Sequence, residues 1–262
     1  MFKDIYEKEF GVRDVLTKAW LVYCKRFKEI ATLMLIVSLP SIIINYIMIE
    51  YVAKLNHLTG SVTVVLAIVI VMIVAALVNF VGLLGIILIV EDTVKDDRNK
   101  INWKTIFSKA FSKLPSYIGT NILAAFILFG LSLLLVIPGI IWSLYYVFIT
   151  QVVFLRGIGG KDALDYSKSL VKGRWWKVFW ILFVVGLIYM AICLGTGVIS
   201  FFLPEAFKII LNICMYSVVF VFFIIGQTIL FLNLDHLNKK NRNATMELNG
   251  DLEKEPQKIV TH

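Results

Sequence analysis

The chain has 262 residues, 59% hydrophobic and 17% charged, with 26 Lys and Arg against 18 Asp and Glu for a net charge of +8. A soluble domain carries about 25% charged residues, and the mean hydropathy here is +0.84. The apolar excess lies in long runs, which excludes an ordinary soluble domain and points to membrane-integral helices; the positive charge then reads as the cytoplasmic bias of membrane-protein loops, with no nucleic acid as partner.

The first ten residues, MFKDIYEKEF, lack an apolar core with a small-residue cleavage site, so no cleaved signal peptide is expected. From Val12 an apolar stripe follows helical period: Val12, Val15, Leu16, Ala19, Trp20, Tyr23 and Phe27. A helix over 12–28 is expected to lie on the membrane before the chain enters it. The first span is placed at 30–49, broken by Pro40, and the second at 62–90, where Asn79, Gly82 and Gly85 offer close helix contact. A second amphipathic segment covers 103–114, and the third span runs 116–137 until Pro138-Gly139 ends it. The fourth, 140–155, is short and carries Ser143, Tyr145, Tyr146, Thr150 and Gln151, a polarity that turns it towards other helices. A third amphipathic helix at 162–173 leads to the fifth span, 178–203, and the sixth, 209–232. The fold class is therefore all-α: a polytopic bundle over 1–237, six spans as three hairpins, with a disordered cytoplasmic tail at 238–262.

Charge counting orients the bundle. With both ends inside, the segments 1–29, 91–115, 156–177 and 233–262 hold 24 of the 26 Lys and Arg. If Pro138 only kinked one helix over 116–155, the split would fall to 14 against 12. Such a helix would be about 60 Å long, against a hydrocarbon core of about 30 Å.

Each amphipathic segment carries one short pattern of apolar, hydroxyl, lysine, small and apolar residues: Leu16 to Trp20, Phe107 to Phe111 and Tyr166 to Leu170. Three copies of one unit are expected, each an amphipathic helix followed by a transmembrane hairpin. No catalytic constellation accompanies them. His57, His236 and His262 have no metal-ligand spacing, nor do Cys24, Cys193 and Cys214, and no phosphate loop or nucleophile elbow is present. No enzyme activity, metal or cofactor is expected. Glu50, Glu91, Asp92 and Arg156 stand at span edges, where they are expected to snorkel to the headgroups. The strongest local signal is Lys172-Gly173-Arg174-Trp175-Trp176-Lys177. Cations beside tryptophans at a membrane entry suit anionic headgroups, which makes Lys172, Arg174, Lys177, Trp175 and Trp176 the candidate lipid site. The alternative is a plain interfacial anchor for the fifth span.

Pro138-Gly139, Ala163-Leu164, Ser167 and Leu170-Val171-Lys172-Gly173-Arg174-Trp175-Trp176 together resemble a motif of bacterial six-span proteins related to the membrane domain of glycerophosphoryl diester phosphodiesterases, a group including the YciC-like proteins. The resemblance covers about 40 residues well and the six-span layout loosely. It implies the membrane module alone, because the 30 residues after the last span leave no room for the catalytic barrel of those relatives. Those relatives often carry an acidic residue where this chain has Arg156. The expectation is a non-enzymatic, multi-pass protein of the bacterial cytoplasmic membrane, acting in envelope homeostasis or as a lipid-associated scaffold. The alternative is a permease, export or immunity component moving a lipid or amphipathic peptide. Expected partners are membrane lipids, anionic ones included, and a second copy or another membrane protein.

Overall fold

A computed structural model describes residues 3–37, 40, 62–95, 103–134 and 136–259. Every regular element among them is helical, as the all-α expectation requires. A single turn at Lys3–Tyr6 precedes α1 (Val12–Lys25) and α2 (27–37), then α3 (Val62–Val94), α4 (Trp103–Leu134) and α5 (Val136–Tyr145). The chain continues through α6 (Ile149–Gln151), a π-helical turn at Val152–Arg156, α7 (Gly160–Val171), α8 (Trp175–Phe201) and α9 (Glu205–Ile259). Among the described residues five segments are long and apolar enough to cross a membrane: Ile68–Val94, Lys104–Leu133, Ile137–Arg156, Trp175–Phe201 and Val218–Ala244. Of the first expected span, 30–49, only 30–37 and 40 are described, and these are helical.

Three helix limits differ from those expected. The segment 103–114 is no separate amphipathic helix but the first turns of α4, which continues unbroken through Pro115. Its buried stripe of Ile106, Ala110, Thr120 and Ala124 crosses the proline without a change of side, and Pro115 itself is exposed. Pro138-Gly139 lies within the first turn of α5 rather than in the link. A first-turn proline forfeits no hydrogen bond, because its missing N–H would have no partner there. Finally, α9 continues past 238, where a tail is expected, and runs to Ile259. Propagating an existing helix needs no new nucleus, so polar helix formers such as Lys and Glu extend it without an apolar period.

The N-terminal segment is tied to α9. Gly11 N–H donates to Asp14 Oδ2 at 3.0 Å, which starts α1. Asn233 of α9 donates to the carbonyls of Ile5 (2.9 Å) and Lys8 (2.8 Å) and accepts from Phe10 N–H (3.0 Å). The buried face of α1, Val15, Ala19 and Val22, packs on α9 and α8 instead of facing lipid. Val15 sits opposite Gly226, and Tyr6 meets the His236 ring at 4.7 Å, so α1 lies lengthwise and antiparallel along α9. Trp20 and Phe27, on the same expected stripe, remain exposed. The sequence pattern marks an apolar face but not its partner, here some 200 residues away.

Large apolar side chains cover the outside of the bundle. Leu66, Ile70 and Met72 on α3, Phe126 and Leu133 on α4 and Leu194 on α8 are all exposed. A surface of this kind suits hydrocarbon and not water. α5 and the turns after it lie against α4, with Phe154 stacked on Tyr117 at 5.3 Å and Gly139 against Ser132. Glycines also admit α2 onto α3. A Cβ on Gly82 would come within 2.8 Å of Val37 Cγ2, and one on Gly85 within 2.6 Å of Leu33 Cδ2.

These contacts fix opposite signs for two glycine substitutions. Gly85→Ala must displace the buried Leu33 and is expected to destabilise by about 1–3 kcal/mol, exceeding the helix-propensity gain of about 1 kcal/mol. Gly119→Ala, where the added methyl meets open space, keeps that gain. Thermal unfolding of both variants in one detergent checks the contrast, and equal shifts would disprove the tight α2–α3 contact.

Candidate functional site: a charged node and an interfacial cluster

The helix begun at Val136 breaks after Tyr145, and the break is held by side chains from elsewhere. In a bilayer every freed backbone group needs a partner within the protein. Ser167 on α7 donates to Tyr145 O at 2.7 Å and accepts from Phe148 N–H at 3.3 Å. Gln227 on α9 donates to Val147 O at 2.8 Å. Helix resumes at Ile149 and widens into the π turn, which Gly157 ends in the left-handed region at φ 71°. Such turns shift the side-chain register, and this one delivers Arg156 into the bundle.

Arg156 does not snorkel as expected. Its Nη1 lies 3.1 Å from Glu91 Oε1 on α3, while Nη2 and Nε lie 2.8 and 3.1 Å from Asp235 Oδ2 on α9. The guanidinium also faces the Phe231 ring at 5.5 Å. Asp235 accepts in addition from the Tyr166 hydroxyl of α7 and from Lys239 at 3.0 Å, and Glu91 pairs with Lys95 at 2.8 Å. The Asp235 side chain is only 4% exposed and that of Glu91 10%. Burial, and then the carboxylate acceptor, push the Tyr166 phenol above its ordinary range, so it stays protonated and donating. One arginine thus joins α3, the π turn, α7 and α9. Only a planar fork of five donors reaches two carboxylates in this way.

The expected lipid cluster is divided between two directions. Gly173, at φ 82°, ends α7 and starts the turn into α8. Arg174 Nε lies 3.1 Å from Glu9 Oε1 and Lys177 Nζ 3.0 Å from Glu9 Oε2, so one carboxylate of the N-terminal segment holds both cations. Lys172 is exposed beside them. Trp175 turns inward, donating to Ile141 O at 3.3 Å and stacking on Phe179 at 5.3 Å, whereas Trp176 is exposed. The five residues are neighbours, but Trp176 and Lys172 face outward and the others brace the start of α8.

Sequence reasoning missed Glu9, Asp235 and Tyr166. The available signal was charge complementarity: Glu91, Arg156 and Asp235 each stand at the end of an apolar run, and their signs alternate. Among the described residues no group of three or more His, Cys, Asp or Glu could hold a metal ion.

Among the described residues, removing Arg156 leaves two buried carboxylates with the half-exposed Lys95 and Lys239 as paired counter-charges. Arg156→Met is expected to lose about 3 kcal/mol or more, and Arg156→Lys somewhat less, since lysine is a point charge. Neutralising the set together, as Glu91→Gln, Arg156→Met and Asp235→Asn, should recover most of the loss. Unfolding midpoints in detergent provide the readout; an Arg156→Met protein as stable as wild type would show that the node does not hold the bundle.

Compared with protein-family models, curated proteins and solved structures, the chain matches none.

Proposed function

We propose that the chain is a non-enzymatic integral membrane protein of the bacterial cytoplasmic membrane, serving envelope homeostasis as a lipid-associated scaffold. One observation carries this. Two cavities among the described residues, of about 200 and 260 Å³, are lined by apolar and aromatic side chains, while the buried ionic groups face one another in the node. Such cavities suit lipid chains better than bond-breaking chemistry. The family resemblance around 138–176 supports the bacterial assignment.

In this reading the chain forms six spans in three hairpins, with both ends cytoplasmic. The contacts of Tyr117 with Phe154 and of Tyr189 with Phe223 support the second and third hairpins. The internal repeat is supported by Ala19, Ala110 and Ser167, each a small residue buried in the centre of an amphipathic segment. Burial aligns Ser167, not Ser169, with the two alanines, a shift of two residues from the short sequence pattern. Lys172 and Trp176, exposed at the start of α8, would meet anionic headgroups.

A second reading, a permease or export component for a lipid or amphipathic peptide, draws on Gln151. That side chain is 1% exposed and its Oε1 has no hydrogen-bond partner among the described residues. Purified protein in proteoliposomes separates the two readings. A scaffold gains thermal stability from anionic lipid without moving labelled lipid or peptide, and substrate-dependent flux would establish the permease instead.

The topology has its own test. Single cysteines at His57 and His262, in a background without the native three, are expected to differ in labelling by an impermeant maleimide on intact cells. Only position 57 should react. Equal reaction at both would refute the six-span arrangement.

A further inference from the structure

The three amphipathic segments pack alike. α1 lies on α8 and α9, the start of α4 lies on α2 and α3, and α7 lies on α4 and α5. In each pair the apolar run of the second helix leads to a member of the charged node: Asp235 on α9, Glu91 on α3 or Arg156 in the π turn after α5. Taking these three charges as equivalent relates the rest of each unit by residue count along the chain, which in the third unit passes the helix break and the π turn. Thirteen residues earlier stand Phe222, Val78 and Ser143; fourteen earlier stand Val221, Leu77 and Trp142.

Two apolar clefts fall at this equivalent place. The 260 Å³ cleft is lined by Phe222 and Val219 of α9, Ile188 and Ile192 of α8 and Trp20 of α1. The 200 Å³ cleft is lined by Val78 and Leu77 of α3, Leu33 and Val37 of α2 and Phe111 of α4. Trp20 and Phe111 hold the same position, each directly after the buried small residue Ala19 or Ala110. At the third place stands Trp142, packed on Tyr145 and Tyr146 at 5.8 and 5.6 Å. Lys168, which follows Ser167 as Trp20 follows Ala19, covers the Trp142 ring at 4.3 Å.

We infer that the two clefts each take an acyl chain of an anionic phospholipid from the surrounding leaflet, and that Trp142 is the chain's own substitute for that occupant in the third unit. This rests on the lipid-associated reading and names its site. Three features favour the occupant. The clefts open between exposed Trp20, Ile188 and Val218 on one side of the bundle and Ile36, Phe107 and Phe111 on another, where the outer surface is apolar and the neighbouring medium is hydrocarbon. An unbranched methylene chain can follow such a groove without leaving a polar group unpaired. Charge complementarity selects the headgroup: exposed Lys109 lies between the rim residues Phe107 and Phe111, and exposed Arg13 lies on α1, so each rim helix presents a cation to an anionic leaflet.

The test transplants the natural plug. Leu77→Trp places tryptophan at the counterpart of Trp142, and Val218→Trp does the same service at the rim of the larger cleft. Full-length protein is equilibrated with dioleoyl phosphatidylglycerol in detergent, and retained lipid per chain is counted by intact-complex mass spectrometry. The wild type is expected to keep lipid, each single variant about half as much, and the double variant only a background level, with phosphatidylcholine retained less by the wild type. Undiminished retention in the double variant would overturn the site while leaving lipid association itself intact; equal retention of the two lipids would overturn the anionic specificity. No retention by wild type would overturn the inference and remove lipid support from the scaffold reading together, which the flux and stability measurements then judge separately. A second measurement does not depend on the plugged variants folding. Phosphatidylglycerol brominated at mid-chain should quench the wild type more than Trp20→Phe, because Trp20 borders the larger cleft. Equal fractional quenching would place the acyl chain elsewhere.

Discussion

Arg156 is the constraint around which the bundle closes. A guanidinium held between Glu91 and Asp235 takes charge out of water at a cost that only near-complete hydrogen bonding offsets. The surroundings supply it: Tyr166 and Lys239 complete Asp235, and Lys95 completes Glu91. Each partner comes from a different stretch of chain, so the node forms only when α3, the π turn, α7 and α9 are all in place. Apolar packing alone would let these helices slide past one another, since hydrocarbon is as good a neighbour as leucine. A charged pairing has one register, which gives the node its value as a specificity device.

The irregular backbone between α5 and the π turn serves the same arrangement. A continuous helix through Tyr146 to Phe148 would rotate Arg156 away from its partners. Breaking it frees backbone groups that Ser167 and Gln227 then satisfy, and both of those residues sit on helices that also reach Asp235. The N-terminal segment adds a further tie. Asn233, two residues before Asp235, uses its whole amide on Ile5, Lys8 and Phe10, and this places Glu9 where it clamps Arg174 and Lys177. Two of the three cations that suit a lipid surface are thereby engaged at the start of α8. Lys172 is exposed beside them.

This division of labour separates a polar, closely paired end of the bundle from an apolar remainder with space in it. The small residues Ala19 and Ala110 let the amphipathic segments approach their helices closely, while the bulky Trp20 and Phe111 that follow stand out at the rims of the clefts. Trp142, by contrast, packs on Tyr145 and Tyr146 under Lys168. The ionic groups thus secure the fold, while the clefts between the helices are apolar.

Much of this was legible in the chain alone. Apolar run length fixes the helices able to cross a membrane, and helical period reveals the faces of α1, the start of α4 and α7, because both are local properties of composition and spacing. Glu91, Arg156 and Asp235 were visible as charges at run ends, but sequence gives no sign of whether such a residue bends outward to headgroups or inward to a counter-charge. Only the tertiary structure decided that, since the partners are 65 and 79 residues apart along the chain. The same holds for Pro138, whose first-turn position depends on how α5 docks on Ser132, and for Ser167, buried in place of Ser169 because the broken helix offers it a carbonyl and an amide. What periodicity determines is which face is apolar. What the packed bundle determines is the partner that face meets, and hence which polar groups can be buried with it.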